Sequence, residues 1–459
     1  MRRRRVIPST GTSSARGSSS PPGQPRRVPP TSPTGAAVRR RPNGCCPPAA
    51  ARCRCSPSPG PPDSPQASHA PKAKHRGLHA PREGGVPVQQ LPTLALAVLG
   101  LATASAQDLR LVLPPDVYAT PGREVNLYFD NAILAVDSQD YLFDVDCAKG
   151  RQDQERWRFT PTDQDLGDHA LSLKVMDAAG VVLAEGTTTV HVAPAGGSDR
   201  PFTLLCVGDS LTHASVYPAE LFTLFGPERL RLVGTHHPIE SLPAEVVHEG
   251  YGGWRWETFC TRWTEGNDPR ARSPFLRLEA GKPVLDFRAY CDAQNGGVGP
   301  DIITVFLGWN DIFGAKDDNL EATIDTVFGY ADTLLAEFRR VREDTQIGLL
   351  LLTPPAATQD AFGSNYACGQ TRWQARRNQH RLVERMMAKF AGREGENLWL
   401  LPAHLNLDTV RNYPTATEPA NARSEQQVTR LSNGVHPSAE GYRQIADTVY
   451  AWLSCRLSR

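Results

Sequence analysis

Ser210 closes the segment Val-Gly-Asp-Ser at 207–210, directly behind the apolar run 202–207, and His436 sits in Asn-Gly-Val-His-Pro at 433–437. A serine hydroxyl is a poor nucleophile at neutral pH. It becomes useful for acyl transfer when an imidazole within hydrogen-bond reach takes its proton and donors face the oxyanion that develops. Two candidate donors lie in between. Asn310, in Gly308-Trp309-Asn310-Asp311, carries an amide N–H2, and Gly253, in His-Glu-Gly-Tyr-Gly-Gly-Trp at 248–254, can present an N–H with no side chain in the way. Asp209 and Asp311 read as caps and loop-fixing acceptors rather than as catalytic acids.

These groups are far apart in sequence, so a fold must gather them. From Phe202 onward strands alternate with helices, which predicts a parallel sheet in an α/β domain. Ile302–Leu307 and Ile347–Leu352 read as buried strands and Leu398–Leu401 as another. Between Glu321 and Arg342, Ile324, Val327, Phe328, Ala331, Leu334, Leu335, Phe338 and Val341 recur at helical spacing and predict one core-facing stripe. The helix expected over 375–390 is basic, and its arginines read as a solvated face. A closing helix is expected over 439–453. Ser210 and Asn310 each follow a strand, and open parallel sheets bind ligands beyond the carboxyl ends of their strands. A helix beginning near Ser215 would add N–H groups close by.

Residues 107–195 have a different texture. Short alternating runs such as Leu171–Val175 and Thr189–Val192, separated by turn-rich segments, predict a small β-sandwich. Asp165-Leu166-Gly167-Asp168-His169 is similar to the Asp-x-Gly-x-Tyr corner of immunoglobulin-like domains, with His169 in the tyrosine's place. Ala195-Gly196-Gly197-Ser198 reads as a linker.

Taken in order, Gly208-Asp209-Ser210, Gly250-Tyr251-Gly252-Gly253, Gly308-Trp309-Asn310-Asp311 and His436-Pro437 resemble the four blocks of the SGNH (GDSL-type) hydrolase family. The resemblance covers residues 200–459. It implies a three-layer α/β/α domain that hydrolyses esters, with Ser210 as nucleophile, His436 as base, and the Ser210 N–H, the Gly253 N–H and Asn310 as oxyanion hole. One position departs from the family, which usually carries Asp three residues before the histidine. This chain has Asn433. Three readings follow: a Ser–His dyad oriented by Asn433 or a backbone carbonyl, a carboxylate supplied from elsewhere such as Asp408, or a protein of little activity. The first is preferred.

The formal charge of +1 conceals two unlike segments. Residues 1–106 hold 14 Arg and 2 Lys against Asp63 and Glu83, an excess of 14 positive charges, so the rest of the chain is net negative by 13. A basic nucleic-acid arm is one interpretation. A stronger one starts from Leu91–Ala106, a short apolar run ending in Ala-Ser-Ala, which has the form of a secretory signal peptide. Signal peptides begin near the true start, so residues 1–85 read as a disordered upstream extension of the gene model and 86–106 as the signal. A secreted or periplasmic location follows, with no nucleic-acid partner and no stable membrane insertion. Export permits disulfides. Of the six cysteines beyond the leader, Cys260 with Cys291 is the pairing to test first.

No cofactor is expected, and His236-His237 with His248 reads as a loop of scattered histidines rather than a metal site. The aromatic residues between Trp254 and Tyr290 suggest a platform beside the active site, for sugar rings or acyl chains alike. The Glu-Gly-Tyr-Gly-Gly-Trp and Asn-Gly-Val-His-Pro blocks look most like secreted carbohydrate-esterase-type members of the family. A carbohydrate O-acetylesterase acting on an acylated sugar is therefore the leading expectation. A lysophospholipase or thioesterase on longer acyl chains, and a catalytically impaired carbohydrate-binding protein, remain as alternatives.

Overall fold

A computed structural model describes residues 109–459 apart from 267 and 269. The basic leader and the segment expected to be a signal peptide lie outside the described residues. Six parallel strands form the main sheet. Phe202–Gly208 is flanked on one side by Leu230–Val233 and Glu249–Gly250, which pair with its start and its end, and on the other by Ile302–Phe306, Gln346–Leu350 and Leu398–Leu401. The chain therefore leaves its first strand in one direction and later moves in the other. Right-handed crossovers then place the connecting helices on opposite faces. Val216–Phe225 packs with the closing helix Ala439–Leu457, while Leu320–Val341 packs with Trp256–Thr261 and Arg372–Phe390. This is the three-layer α/β/α architecture.

Both outer layers are fixed by side chains. The expected stripe of Leu320–Val341 is buried from Ile324 to Phe338, and its last member, Val341, is partly buried against the same core. On the opposite face, Gly348 lets the Trp452 ring lie against the sheet, since a Cβ there would stand 2.9 Å from the indole.

Ahead of this domain lie two smaller sheets. One has the order Asp116–Ala119, Val182–Val192, Gly167–Met176, Leu142–Cys147, and the other Val125–Tyr128, Arg156–Phe159, Arg151–Gln152. Alternation along Gly167–Met176 buries Leu171, Leu173 and Val175 in a shared core with Trp157 and Phe159. His169 Nε2 lies 2.7 Å from the Asp165 carbonyl, the kind of backward bond that closes a tyrosine corner.

The contact between the two parts is extensive and polar. Leu405 enters the core of the smaller sheets. Asn406 Oδ1 accepts from the Asn126 N–H at 2.8 Å, and Asn131 Nδ2 donates to the Leu407 carbonyl at 2.8 Å. Here one sequence expectation is corrected. Arg376 is 1% exposed, and its guanidinium donates to the carbonyls of Asp130 and Ile133 and to Gln379. Its neighbours do form the solvated face: Arg377 pairs with Asp317, and Arg381 and Arg385 pair with Glu321. Periodicity could not separate Arg376 from them, because the partners it meets belong to another part of the chain.

Candidate active site

Register explains how distant blocks converge. Gly250 and Phe306 each pair with Gly208, so three adjacent strands end level with one another. The segments that continue from them, Asp209–Ser210, Tyr251–Gly253 and Leu307–Asn310, all leave the same edge of the sheet. Gly208 itself is obligatory, because a Cβ would meet Thr212 Oγ1 at 2.0 Å and the Phe306 carbonyl at 2.9 Å.

At that edge, His436 Nε2 lies 2.8 Å from Ser210 Oγ. Asn433 faces the other side of the ring, with Oδ1 3.3 Å from His436 Nδ1. The same Oδ1 accepts from the backbone N–H groups of Val435 at 3.1 Å and His436 at 2.9 Å. These two donors settle which way the amide points, since only its oxygen can accept from them. Nδ1 must therefore carry the proton, and Nε2 presents its lone pair to the serine. The geometry gives the ring the correct tautomer without a carboxylate. Burial holds His436 below the ordinary histidine value, so the ring is neutral at neutral pH.

Asp408, the other candidate partner, is engaged elsewhere. It accepts from Tyr128, from the N–H groups of Val410 and Arg411, and from the Arg411 guanidinium.

Asn310 Nδ2 donates to Asp209 Oδ2 at 3.2 Å and to the Trp254 carbonyl at 3.0 Å, which ties the third block to the first and second. Asp209 Oδ1 caps the turn through the Leu211 N–H at 2.9 Å. Asp311 Oδ1 accepts from the Trp256 N–H at 3.3 Å. Burial pushes both carboxyls up to about 7. Gly253 adopts φ +81° with open space where a side chain would begin, and neither its N–H nor that of Ser210 has a partner among the described residues. The helix expected near Ser215 is present as Val216–Phe225, with Ser215 as its N-cap, and a shorter helix precedes it. This four-residue helix starts at Ser210 itself, and Ser215 separates the two at φ 63°.

Two further expectations fail. Six of the seven aromatic residues of 254–290 are not a platform: Trp254, Trp256, Phe259, Phe275, Phe287 and Tyr290 are buried, and most stack on one another in the core, while Trp263 is partly exposed beneath the Arg272 guanidinium. Density of rings in sequence cannot distinguish a core stack from a binding face, since both need apolar area. The cysteines are all free among the described residues, Cys260 and Cys291 included. Cys260 faces the Tyr330 carbonyl instead, at 3.6 Å.

The histidines that read as scattered are in fact supports. His248 is buried, accepts from the Gly250 N–H at 3.0 Å through Nδ1, and lies 2.9 Å from Ser215 Oγ through Nε2, joining the loops behind Ser210 and Gly253. Desolvation lowers it to about 3, so it stays neutral. His213 and His236 contact one another at 2.9 Å, and His236 stacks on Tyr251, which stacks on Trp254. Glu249, fully buried beside them, accepts from the Thr235 N–H and hydroxyl and from the hydroxyls of Tyr251 and Tyr290, and burial raises it to about 7. Sequence reasoning missed this layer. Its one available signal was a carboxyl on a strand directly before the Gly-Tyr-Gly-Gly block.

A parallel α/β sheet that brings a neutral imidazole to a serine hydroxyl at its carboxyl edge defines a serine ester hydrolase. The chain belongs to the GDSL-like lipase/acylhydrolase family, whose model matches residues 204–449. No curated protein matches the chain. Solved structures similar to it include a family 3 carbohydrate esterase from Clostridium thermocellum, at 17% identity and TM-score 0.33, covering 55% of this chain and 94% of the other. A carbohydrate acetylesterase family member from Sinorhizobium meliloti is similar at 15% identity and TM-score 0.34, covering 56% of this chain and 100% of the other. Among the described residues no helix is long and apolar enough to cross a membrane.

Proposed function

We propose that the protein is an exported carbohydrate O-acetylesterase in which Ser210 is the nucleophile and His436 the general base. Ser210 Oγ attacks the acetyl carbonyl as its proton passes to His436 Nε2. The oxyanion is held by the N–H groups of Ser210 and Gly253 and by Asn310, whose longer bond, to Asp209, is the one exchanged. His436 then protonates the departing sugar oxygen. Water, deprotonated by the same ring, attacks the acetyl-serine and releases acetate. No cofactor enters these steps. Asn433 keeps Nδ1 protonated throughout as a positioning residue. Residues 107–195 serve in this reading as a β-sandwich module of the exported enzyme.

The observation that carries the catalytic part is the 2.8 Å separation of His436 Nε2 and Ser210 Oγ, with the tautomer set by Asn433. The acetylated-sugar part rests on the resemblance of the 249–254 and 433–437 blocks to carbohydrate-esterase-type sequences. Labelling by a fluorophosphonate probe tests the nucleophile. The wild type is expected to label and Ser210→Ala is not, and equal labelling of the two would overturn the assignment. Rates on acetyl and octanoyl p-nitrophenyl esters test the acyl group, and a preference for octanoyl would overturn the acetyl reading.

A further inference from the structure

Just past the short helix Ser210–His213, Ser215 holds its backbone at φ 63°, in the left-handed region that a side chain makes costly. Such strain persists only where the surroundings over-determine it, and it gathers at functional sites. The restraint here is His248, 0% exposed, whose Nε2 lies 2.9 Å from Ser215 Oγ. The partners fix the direction of each proton. The Gly250 N–H donates to His248 Nδ1 at 3.0 Å, so the neutral ring carries its proton on Nε2 and gives it to Ser215 Oγ, which donates in turn to the His213 carbonyl at 3.0 Å. A histidine that only filled space would not need a strained serine to receive its proton.

This relay joins the two elements that bring main-chain N–H groups to the site. On one side, Ser210 opens the helix and its carbonyl accepts from the Ala214 N–H at 3.1 Å, so a displacement at Ser215 reaches the nucleophile within one turn. On the other, Gly250 ends its strand, the Tyr251 N–H donates to the Gly208 carbonyl at 3.0 Å, and Gly253 follows. The two elements touch without slack. A Cβ on Gly250 would stand 2.7 Å from the His213 nitrogen, and one on Gly234 would stand 2.4 Å from that of His248.

We propose that His248, acting through Ser215 and Gly250, is a positioning residue that sets the separation and angle of the Ser210 and Gly253 N–H groups; it rests on the reading of both groups as oxyanion donors. Such donors work because they are fixed before charge develops, and a misplacement of about 1 Å can cost about 10²-fold in rate.

The test is Ser215→Gly, which removes the hydroxyl while relieving the backbone. Counting sites by complete fluorophosphonate labelling confines the measured rate to folded protein. On p-nitrophenyl acetate, kcat per labelled site is expected to fall about tenfold while KM stays within about twofold, and the rate of labelling should fall with kcat. His248→Asn, which keeps an acceptor near Gly250 and loses the reach to Ser215, is expected to act in the same way. A kcat per site within about twofold of wild type in both variants overturns the positioning role. Asn310→Ala separates this outcome from a failure of the oxyanion-hole reading. If it lowers kcat while Ser215→Gly and His248→Asn do not, the hole stands and His248 does not set it. If none of the three lowers kcat, the assignment of the hole falls as well.

Discussion

Replacing Asn433 by Asp asks whether the histidine lacks charge or merely orientation. The amide oxygen already sits 3.3 Å from Nδ1 and is pinned by two backbone N–H groups, so a carboxylate oxygen can occupy the same place. At an effective dielectric of about 20, a unit charge at that distance would attract the imidazolium by about 5 kcal/mol. Dehydrating the new carboxylate and screening at a half-buried position offset much of this, leaving about 1.5–3 kcal/mol. Since about 1.4 kcal/mol is tenfold in rate, kcat/KM on an aryl acetate should rise about tenfold to a hundredfold. The pH profile should move as well. The base must be neutral, so activity falls as pH drops through the His436 value, which burial now holds low. A carboxylate beside Nδ1 raises that value, and the acid limb shifts to higher pH. A rate within twofold of wild type, with an unmoved acid limb, would refute the argument that this position governs the ring.

Other perturbations give distinct readouts. Asn310→Ala should lower kcat by about 10²–10³, the usual loss of one oxyanion donor, with KM changed far less; an equal change in both would place Asn310 outside the transition state. Glu249 has a folded-state value of about 7, raised by burial from 4.5, so its contribution to stability is present below about 4.5 and is lost as pH rises towards 7. Denaturation midpoints of Glu249→Gln should therefore fall less steeply between pH 4.5 and 7 than those of wild type, and parallel curves would contradict the burial argument. Arg376→Met strips partners from the Asp130 and Ile133 carbonyls and should destabilise by about 2–4 kcal/mol in urea titration, while kcat of the remaining folded protein is preserved.

Four of the six strands of the main sheet were legible because they are apolar on both faces, and its longest helix repeats its apolar stripe without interruption from Ile324 to Phe338, whereas Leu230–Val233, with Arg231 exposed, and the two-residue strand Glu249–Gly250 gave no such signal. The site was legible because its chemistry demands residue types at strand ends. Hidden from sequence was everything decided by long-range partners. Arg376 is indistinguishable from Arg377 until Asp130 and Ile133 arrive from the smaller sheets. The rings from Trp254 to Tyr290 could line a groove or fill a core, and only the helix Leu320–Val341 packing over them chooses. The amide of Asn433 is the subtlest case. Its identity suggested a defect, while its orientation depends on two main-chain N–H groups whose directions no spacing reveals.

The junction at Ala195–Ser198 invites dissection of the gene, yet the three-dimensional join argues against it. A fragment beginning at residue 200 would expose Leu405 to solvent and leave Arg376, Asn406 and His404 without the carbonyls and amides they now serve. Such a fragment should express as aggregate, and limited proteolysis of the intact chain should cut the Gly-Gly segment slowly, since Gly196 is itself bonded to Ser454 of the closing helix. The contacts that join the two regions should make them unfold together, in one transition.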